Sequence, residues 1–278
     1  MNRLPDFIVE PIVRRALEED LSGAGDVTSA LLPTETMRAQ FVTRKAGVIA
    51  GLQPAEIACA LVDRRITFRA LVDDGAKVGA HFAIAEIEGP AASVLTAERT
   101  ALNFLTHLSG IATLTAAYVG AVAGTKARIA GTRKTLPGLR ALQKAALVAA
   151  GAWPHRYGLG DAILIKDNHV AAAGGAANAL RRAREVAGHM LTIEVEVDSL
   201  TQLDEVLPLK PDVVLLDNFN LDDLRTAVSR AKGQTILEAS GGVSLQTVGA
   251  IAETGVDVIS VGALTHSASV LDIGLDAI

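Results

Sequence analysis

Along the chain the spacing of apolar positions changes character twice. In the opening stretch MNRLPDFIVEPIVRRALEEDL, charges interleave with apolar residues and no continuous apolar block of the secretory type occurs, so the pattern predicts an amphipathic first helix. A second helix is expected over Pro54 to Val62, with strands at Ala39 to Thr43, Ile66 to Leu71 and Phe82 to Ile87. Asp74-Gly75 and Glu88-Gly89-Pro90 are turn signals between them. This first part predicts a small α/β domain.

The next stretch, Thr100 to Thr125, holds no Asp, Glu, Lys or Arg, and such a run must be weighed against a membrane span of about 20 apolar residues. Asn103, Thr106, His107, Ser109, Thr113 and Thr115 punctuate it and Gly110 interrupts it, so a long helix buried between domains or subunits is the expectation.

Beyond it the rhythm becomes short apolar strands, each followed by a helix-length amphipathic segment. Strands are expected at Lys126 to Ala130, Ala162 to Ile165, Leu191 to Val197, Val213 to Leu216, Ile236 to Ala239 and Val258 to Val261. Helices are expected at Leu139 to Ala150, Gly175 to Ala187, Leu200 to Leu207, Leu221 to Ala231 and Leu245 to Glu253. Units this short and regular favour a parallel sheet closing into a β/α barrel over an open doubly wound sheet.

Composition narrows the function. The 278 residues carry a formal charge of -5 and half are apolar, so neither a nucleic-acid coat nor a membrane-binding surface is expected. The single cysteine, Cys59, lies in an apolar run and reads as a buried structural thiol in a reducing, cytoplasmic setting. Against the acidic background, Arg133, Lys134, His155, Arg156 and Lys166 cluster as an anion pocket.

These residues fall at the C-terminal ends of the expected strands, where a β/α barrel builds its active site. Glu194 and Glu196 share one face of a strand, and Asp217 ends the next. Ser240-Gly241-Gly242 and Gly262-Ala263 end the last two strands, where loop amides can meet a phosphate at the start of the following helix. Cations, carboxylates and a glycine cradle together suit transfer of a phosphorylated sugar through an oxocarbenium-like state, with Mg²⁺ and Lys neutralising a leaving pyrophosphate.

The stretches GDVTS (Gly25 to Ser29), ERTALNFLTHLSGIAT (Glu98 to Thr113), TRKTLPGLR (Thr132 to Arg140), HRYGLGDAILIKDNHV (His155 to Val170), EVEVDSL (Glu194 to Leu200), LLDNF (Leu215 to Phe219), EASGGV (Glu238 to Val243) and GVDVISVGALTHSA (Gly255 to Ala268) resemble quinolinate phosphoribosyltransferase, over nearly the whole chain. The resemblance implies a small N-terminal α/β sandwich domain (1–110, with about 267–278 packing on it) and an incomplete β/α barrel of parallel strands (111–266). It implies transfer of phosphoribosyl from phosphoribosyl pyrophosphate to quinolinate with decarboxylation, in NAD biosynthesis, with Mg²⁺, by a homodimer with shared sites.

By the same resemblance Arg133, His155, Arg156 and Lys166 would hold the quinolinate carboxylates, with Thr132 beside them. Lys134, Glu196, Asp217, Ser240, Gly241, Gly242 and Gly262 would serve phosphoribosyl pyrophosphate and the metal, the metal falling to Glu196 and Asp217, with His266 nearby. Lys134, Lys166, Glu196 and Asp217 would be catalytic, and Arg99 would reach the partner subunit's site. Gly131 stands where the family usually has Asp, and Ala150-Gly151-Ala152-Trp153-Pro154 replaces a glycine-rich run ending in Asn. His107, His169 and His189 read as ordinary polar histidines, Trp153 as packing beside the pocket, and Asp161 and Asp167 as orienting neighbouring cations. Two alternatives remain in view: a related enzyme associated with molybdate transport that takes another acceptor, and a silent phosphometabolite-binding protein.

Overall fold

The structure is a computed structural model that describes residues 3–32 and 34–278. In chain order the elements are α1 (Asp6–Leu21), β1 (Thr36–Thr43), β2 (Gly47–Val48), α2 (Leu52–Val62), β3 (Thr67–Ala70), β4 (Lys77–Val78), β5 (Ala83–Pro90) and α3 (Ala91–Ala121). Then come β6 (Arg128–Ala130), α4 (Arg140–Ala149), β7 (Ile163–Ile165), α5 (Asp167–Ala173), α6 (Ala176–Val186), β8 (Ile193–Val197) and α7 (Leu200–Val206). The chain ends with β9 (Val213–Asp217), α8 (Leu221–Ala231), β10 (Ile236–Ser240), α9 (Val248–Glu253), β11 (Val258–Ser260), α10 (Ala263–His266) and β12 (Ile273–Ala277). They form two compact units, one of residues up to 116 with 135–151 and 263–278, the other of 117–134 and 152–262. The C-terminal segment belongs with the first unit, and so does α4.

The first unit is organised on an antiparallel sheet in the order β12-β1-β5-β3. Phe41, Ile84 and Ile87 from the sheet are buried, as are Val9, Val13 and Leu17, which stand at i, i+4 and i+8 on one face of α1. β12 has no counterpart in the apolar pattern: Gly274 and Asp276 interrupt it, and it exists because its backbone pairs with β1, more than 200 residues earlier. Most of the charge-free run, up to Ala121, lies in α3, a 31-residue helix whose Leu105, Leu108, Ile111 and Ala112 are buried. Its length and composition would suffice to cross a membrane, but half of its most apolar window is buried by the protein. Its polar residues are used locally: Ser109 Oγ accepts from Ala50 N and donates to Ala50 O, both at 3.0 Å. Gly110 is required by a close approach, since a Cβ there would stand 2.1 Å from Ser269 O.

The second unit is a six-stranded parallel sheet in the order β6-β11-β10-β9-β8-β7, with helices between successive strands. Beyond β6, Trp153 bridges Ala130 in parallel and extends that edge, while β6 and β7 do not pair, so the barrel is incomplete. Trp153 itself is half exposed. In β8, Ile193, Val195 and Val197 are buried on one face and Glu194 and Glu196 point to the other, the alternation expected of a strand with a polar interior.

Two helical features differ from the apolar spacing. α9 begins only at Val248, because Ser244 and Thr247 exchange hydrogen bonds that hold 244–247 as a turn. α5 forms immediately after β7, where Lys166 N donates to His169 Nδ1 at 3.0 Å across the first turn.

Candidate active site

A cavity of about 590 Å³ opens in the second unit at the C-terminal ends of its strands. Residues alternate into it along each strand: Leu164 and Lys166, Leu215 and Asp217, Glu238 and Ser240, with Glu196 from β8 and Ser260 from β11. Thr132, Arg133 and Lys134 enter from the loop after β6, and His155 and Arg156 from the segment beyond Trp153. The expected cation cluster is therefore assembled in one place.

The two arginines define one wall. Burial, and after it the charge of Arg133, press Arg156 below its usual range, so the guanidinium groups are close enough to repel. Arg133 Nε is buried without a hydrogen-bond partner. Paired cations with a spare donor call for an anion between them. Thr132 shapes the loop beneath, its Oγ1 accepting from Lys134 N at 3.0 Å. Asp161 orders the segment after Arg156, accepting from the amides of Tyr157 and Gly158, so it acts on backbone. Asp167 does the same for Asn168 N.

The same cavity holds the carboxylates. Lys166 Nζ donates to Glu196 Oε2 at 2.6 Å. Asp217 follows on the adjacent strand, in register with Ser240, and burial followed by the negative charge of Glu196 pushes its carboxyl above the usual range. Two neighbouring carboxylates so placed favour a hard cation with oxygen ligands. Gly241 and Gly242 have φ of 92° and 58°, and a Cβ on Gly241 would lie 2.2 Å from Asn218 Oδ1. Asn218 in turn donates through Nδ2 to Asp217 Oδ2 at 2.8 Å. The glycines thus let a backbone loop come close to the Asp217-Asn218 corner. They do not lead straight into a helix as expected, because α9 starts six residues later.

Beneath the mouth lies a second group, of which the charge pattern marked His155 and Glu194 but not Glu238. Glu194 and Glu238 are 5% and 4% exposed, and His155 Nε2 stands 3.6 Å from Glu194 Oε2 and 3.4 Å from Glu238 Oε1. Burial first, then the Glu238 carboxyl, push Glu194 up to about 7. Glu238 could have been noticed from Glu238-Ala239-Ser240, which repeats the alternation of Glu194-Val195-Glu196. Donor atoms of His155, Glu194 and Glu238 lie within 4.8 Å of one another, a metal-like spacing. The ring cannot serve there: Arg156 N donates to His155 Nδ1 at 2.7 Å, which places the ring proton on Nε2, the atom a metal would need bare.

The other expected residues lie elsewhere. Gly262 sits just past β11 and does not line the cavity. Arg99 is exposed on α3 and His266 is exposed on α10, both in the first unit. His107 also belongs there, half-buried, 2.8 Å from Gln143 Nε2 and lowered by burial. His189 is exposed.

A parallel β/α sheet whose strand ends gather arginines, lysines, paired carboxylates and a glycine loop suits a transferase of phosphorylated sugars. The chain belongs to the quinolinate phosphoribosyl transferase family: the family's N-terminal domain matches residues 26–109 and its C-terminal domain residues 111–276. It is similar to the nicotinate-nucleotide pyrophosphorylase [carboxylating] of Mycobacterium leprae, 49% identical over 95% of each chain. It is also similar to quinolinate phosphoribosyltransferase [decarboxylating] 1b of Nicotiana tabacum, 38% identical over 98% of this chain and 83% of the relative. Among solved structures, the nicotinate-nucleotide pyrophosphorylase of Francisella tularensis superposes with a TM-score of 0.96 at 40% identity, covering 100% of this chain and 98% of that one.

Proposed function

We propose that the protein transfers phosphoribosyl from phosphoribosyl pyrophosphate to quinolinate, giving nicotinate mononucleotide, pyrophosphate and CO₂ in NAD biosynthesis. The observation that carries this reading is the gathering of Arg133, Arg156, Lys166, Glu196 and Asp217 in the lining of one cavity. The arginine wall, with Lys166, suits the two carboxylates of the acceptor. The carboxylates suit the positive charge that develops at ribose C1 as its bond to pyrophosphate breaks. The pyridine nitrogen then bonds to C1, the adjacent carboxylate leaves as CO₂, and its ring carbon takes a proton.

Mg²⁺ fits the Glu196 and Asp217 oxygens and would neutralise the leaving pyrophosphate, with Lys134 beside it. Ser240, Gly241 and Gly242 would hold the ribose phosphate. Arg99 fits a role in the partner subunit's site of a homodimer, where one surface supplies both sites reciprocally. A cytoplasmic setting agrees with the free, buried Cys59, whose thiol burial pushes up to about 12.

Incubating the protein with quinolinate, phosphoribosyl pyrophosphate and Mg²⁺ should yield nicotinate mononucleotide, pyrophosphate and CO₂ in equal amounts. Absence of all three would refute the reading. Product formed from another aromatic acid in place of quinolinate would transfer it to the related molybdate-associated enzyme.

A further inference from the structure

We infer that Tyr118 is a positioning residue for the sugar donor: from the end of α3 its hydroxyl holds the loop carrying Gly241 and Gly242 in the shape that receives the ribose phosphate. The inference deepens the proposed function and rests on it. Tyr118 and the loop both belong to the second unit. The residue is 4% exposed, and its hydroxyl donates to Val243 O at 3.5 Å and accepts from the Leu245 amide. Burial pushes the phenol above its usual range, with the Leu245 bond opposing, so the O–H is retained at neutral pH and keeps both contacts.

The loop needs such a tie. Gly241 and Gly242 have φ of 92° and 58°, both are exposed, and they have no side chains to fix the shape they present to the cavity. Upstream the chain is fixed where Asn218 N donates to Ser240 O at 2.9 Å. Downstream Ser244 and Thr247 close a turn, Thr247 N donating to Ser244 O at 3.1 Å. Val243 joins the glycines to that turn and Leu245 stands inside it, so the Tyr118 hydroxyl meets the backbone on both sides of Ser244. One phenol thereby anchors the turn to α3 immediately after the paired glycines. Loop amides bind a phosphate more tightly when the loop is ordered before the ligand arrives.

Tyr118→Phe on the full chain tests this, since it removes the hydroxyl and keeps the buried ring. With Mg²⁺ present, the readouts are KM for phosphoribosyl pyrophosphate, KM for quinolinate, and Ki for ribose 5-phosphate and for inorganic pyrophosphate as competitors of the donor. KM for the donor and Ki for ribose 5-phosphate should rise together about fivefold, the scale of one or two lost hydrogen bonds. KM for quinolinate and Ki for pyrophosphate should stay within about twofold, because neither ligand uses the glycine loop. Leu245→Pro is the second variant. Leu245 follows Ser244 in the turn, a position that favours proline, and the change deletes the amide that Tyr118 accepts from. It should raise the same two constants about threefold, and in the double variant the increases should fall short of their product. If Tyr118→Phe does not fold, Leu245→Pro decides the matter.

Donor and ribose 5-phosphate constants that do not move would overturn the inference. So would a rise shared equally by all four constants, which would reduce the hydroxyl to general packing, or full multiplication in the double variant. In each of these cases a wild type that forms nicotinate mononucleotide leaves the proposed function standing. A wild type that forms no product sinks both.

Discussion

At the mouth of the cavity, Glu196 and Asp217 stand within reach of the Lys166 ammonium and of incoming ligand, whereas one strand repeat deeper Glu194 and Glu238 are almost fully buried. The two layers lie on neighbouring strands and share one residue type, glutamate. Depth separates them: the outer carboxylates keep a charge partner and room for a cation, and the inner ones lose water and face a ring, burial and then the Glu238 charge raising Glu194. A pattern of acidic residues on one strand face is therefore two devices, one suited to chemistry and one to support.

The outer layer should give the largest effects. Excess chelator should abolish turnover, and full activity in its presence would remove the metal from the account. Arg99→Ala and Glu196→Ala should each be nearly inactive alone. Co-expressed, they should recover about one quarter of wild-type activity, because half of randomly assembled dimers are mixed and each mixed dimer has one whole site. No recovery would mean that Arg99 serves its own chain.

Arg133→Ala and Lys166→Ala each delete a charge-assisted contact of roughly 1.5 to 3 kcal/mol, so quinolinate kcat/KM should fall at least about tenfold while circular dichroism stays native. Normal turnover in both would break the outer layer as drawn.

The inner layer should register in stability. Burial and the Glu238 charge push the folded Glu194 carboxyl up from its ordinary 4.5 to about 7, so between those values the folded chain binds more protons than the unfolded chain. Stability from this group is full below about 4.5 and is lost as pH rises toward 7. Glu194→Gln should flatten that part of the curve, a change of ~3 kcal/mol at most, read from urea midpoints at several pH values. An unchanged slope would place the titration elsewhere. The smallest effect is expected of His169→Ala, which removes the acceptor for Lys166 N and should cost about 1 kcal/mol of stability.

The outer layer was legible in the sequence because strand alternation and loop position are local: Lys166, Glu196 and Asp217 follow from where short apolar runs end. The six parallel strands fell within two residues of their expected positions for the same reason. The inner layer was not legible, because whether Glu194 faces water or a buried partner depends on β10 and on the segment carrying His155, which chain spacing does not bring together. β12 escaped notice likewise, its pairing being with β1 at the other end of the chain. Arg99 and His266, carried by resemblance, stand in the first unit.

The account turns on phosphoribosyl transfer at the outer layer, and single-turnover formation of nicotinate mononucleotide by wild type and Glu196→Gln, side by side at saturating substrates with Mg²⁺, tests it most directly. Wild type should convert quinolinate to product, and Glu196→Gln should still bind quinolinate yet form product at least about 100-fold more slowly, the scale of a lost transition-state electrostatic contact. No product from the wild type, or product from Glu196→Gln at the wild-type rate, would contradict it.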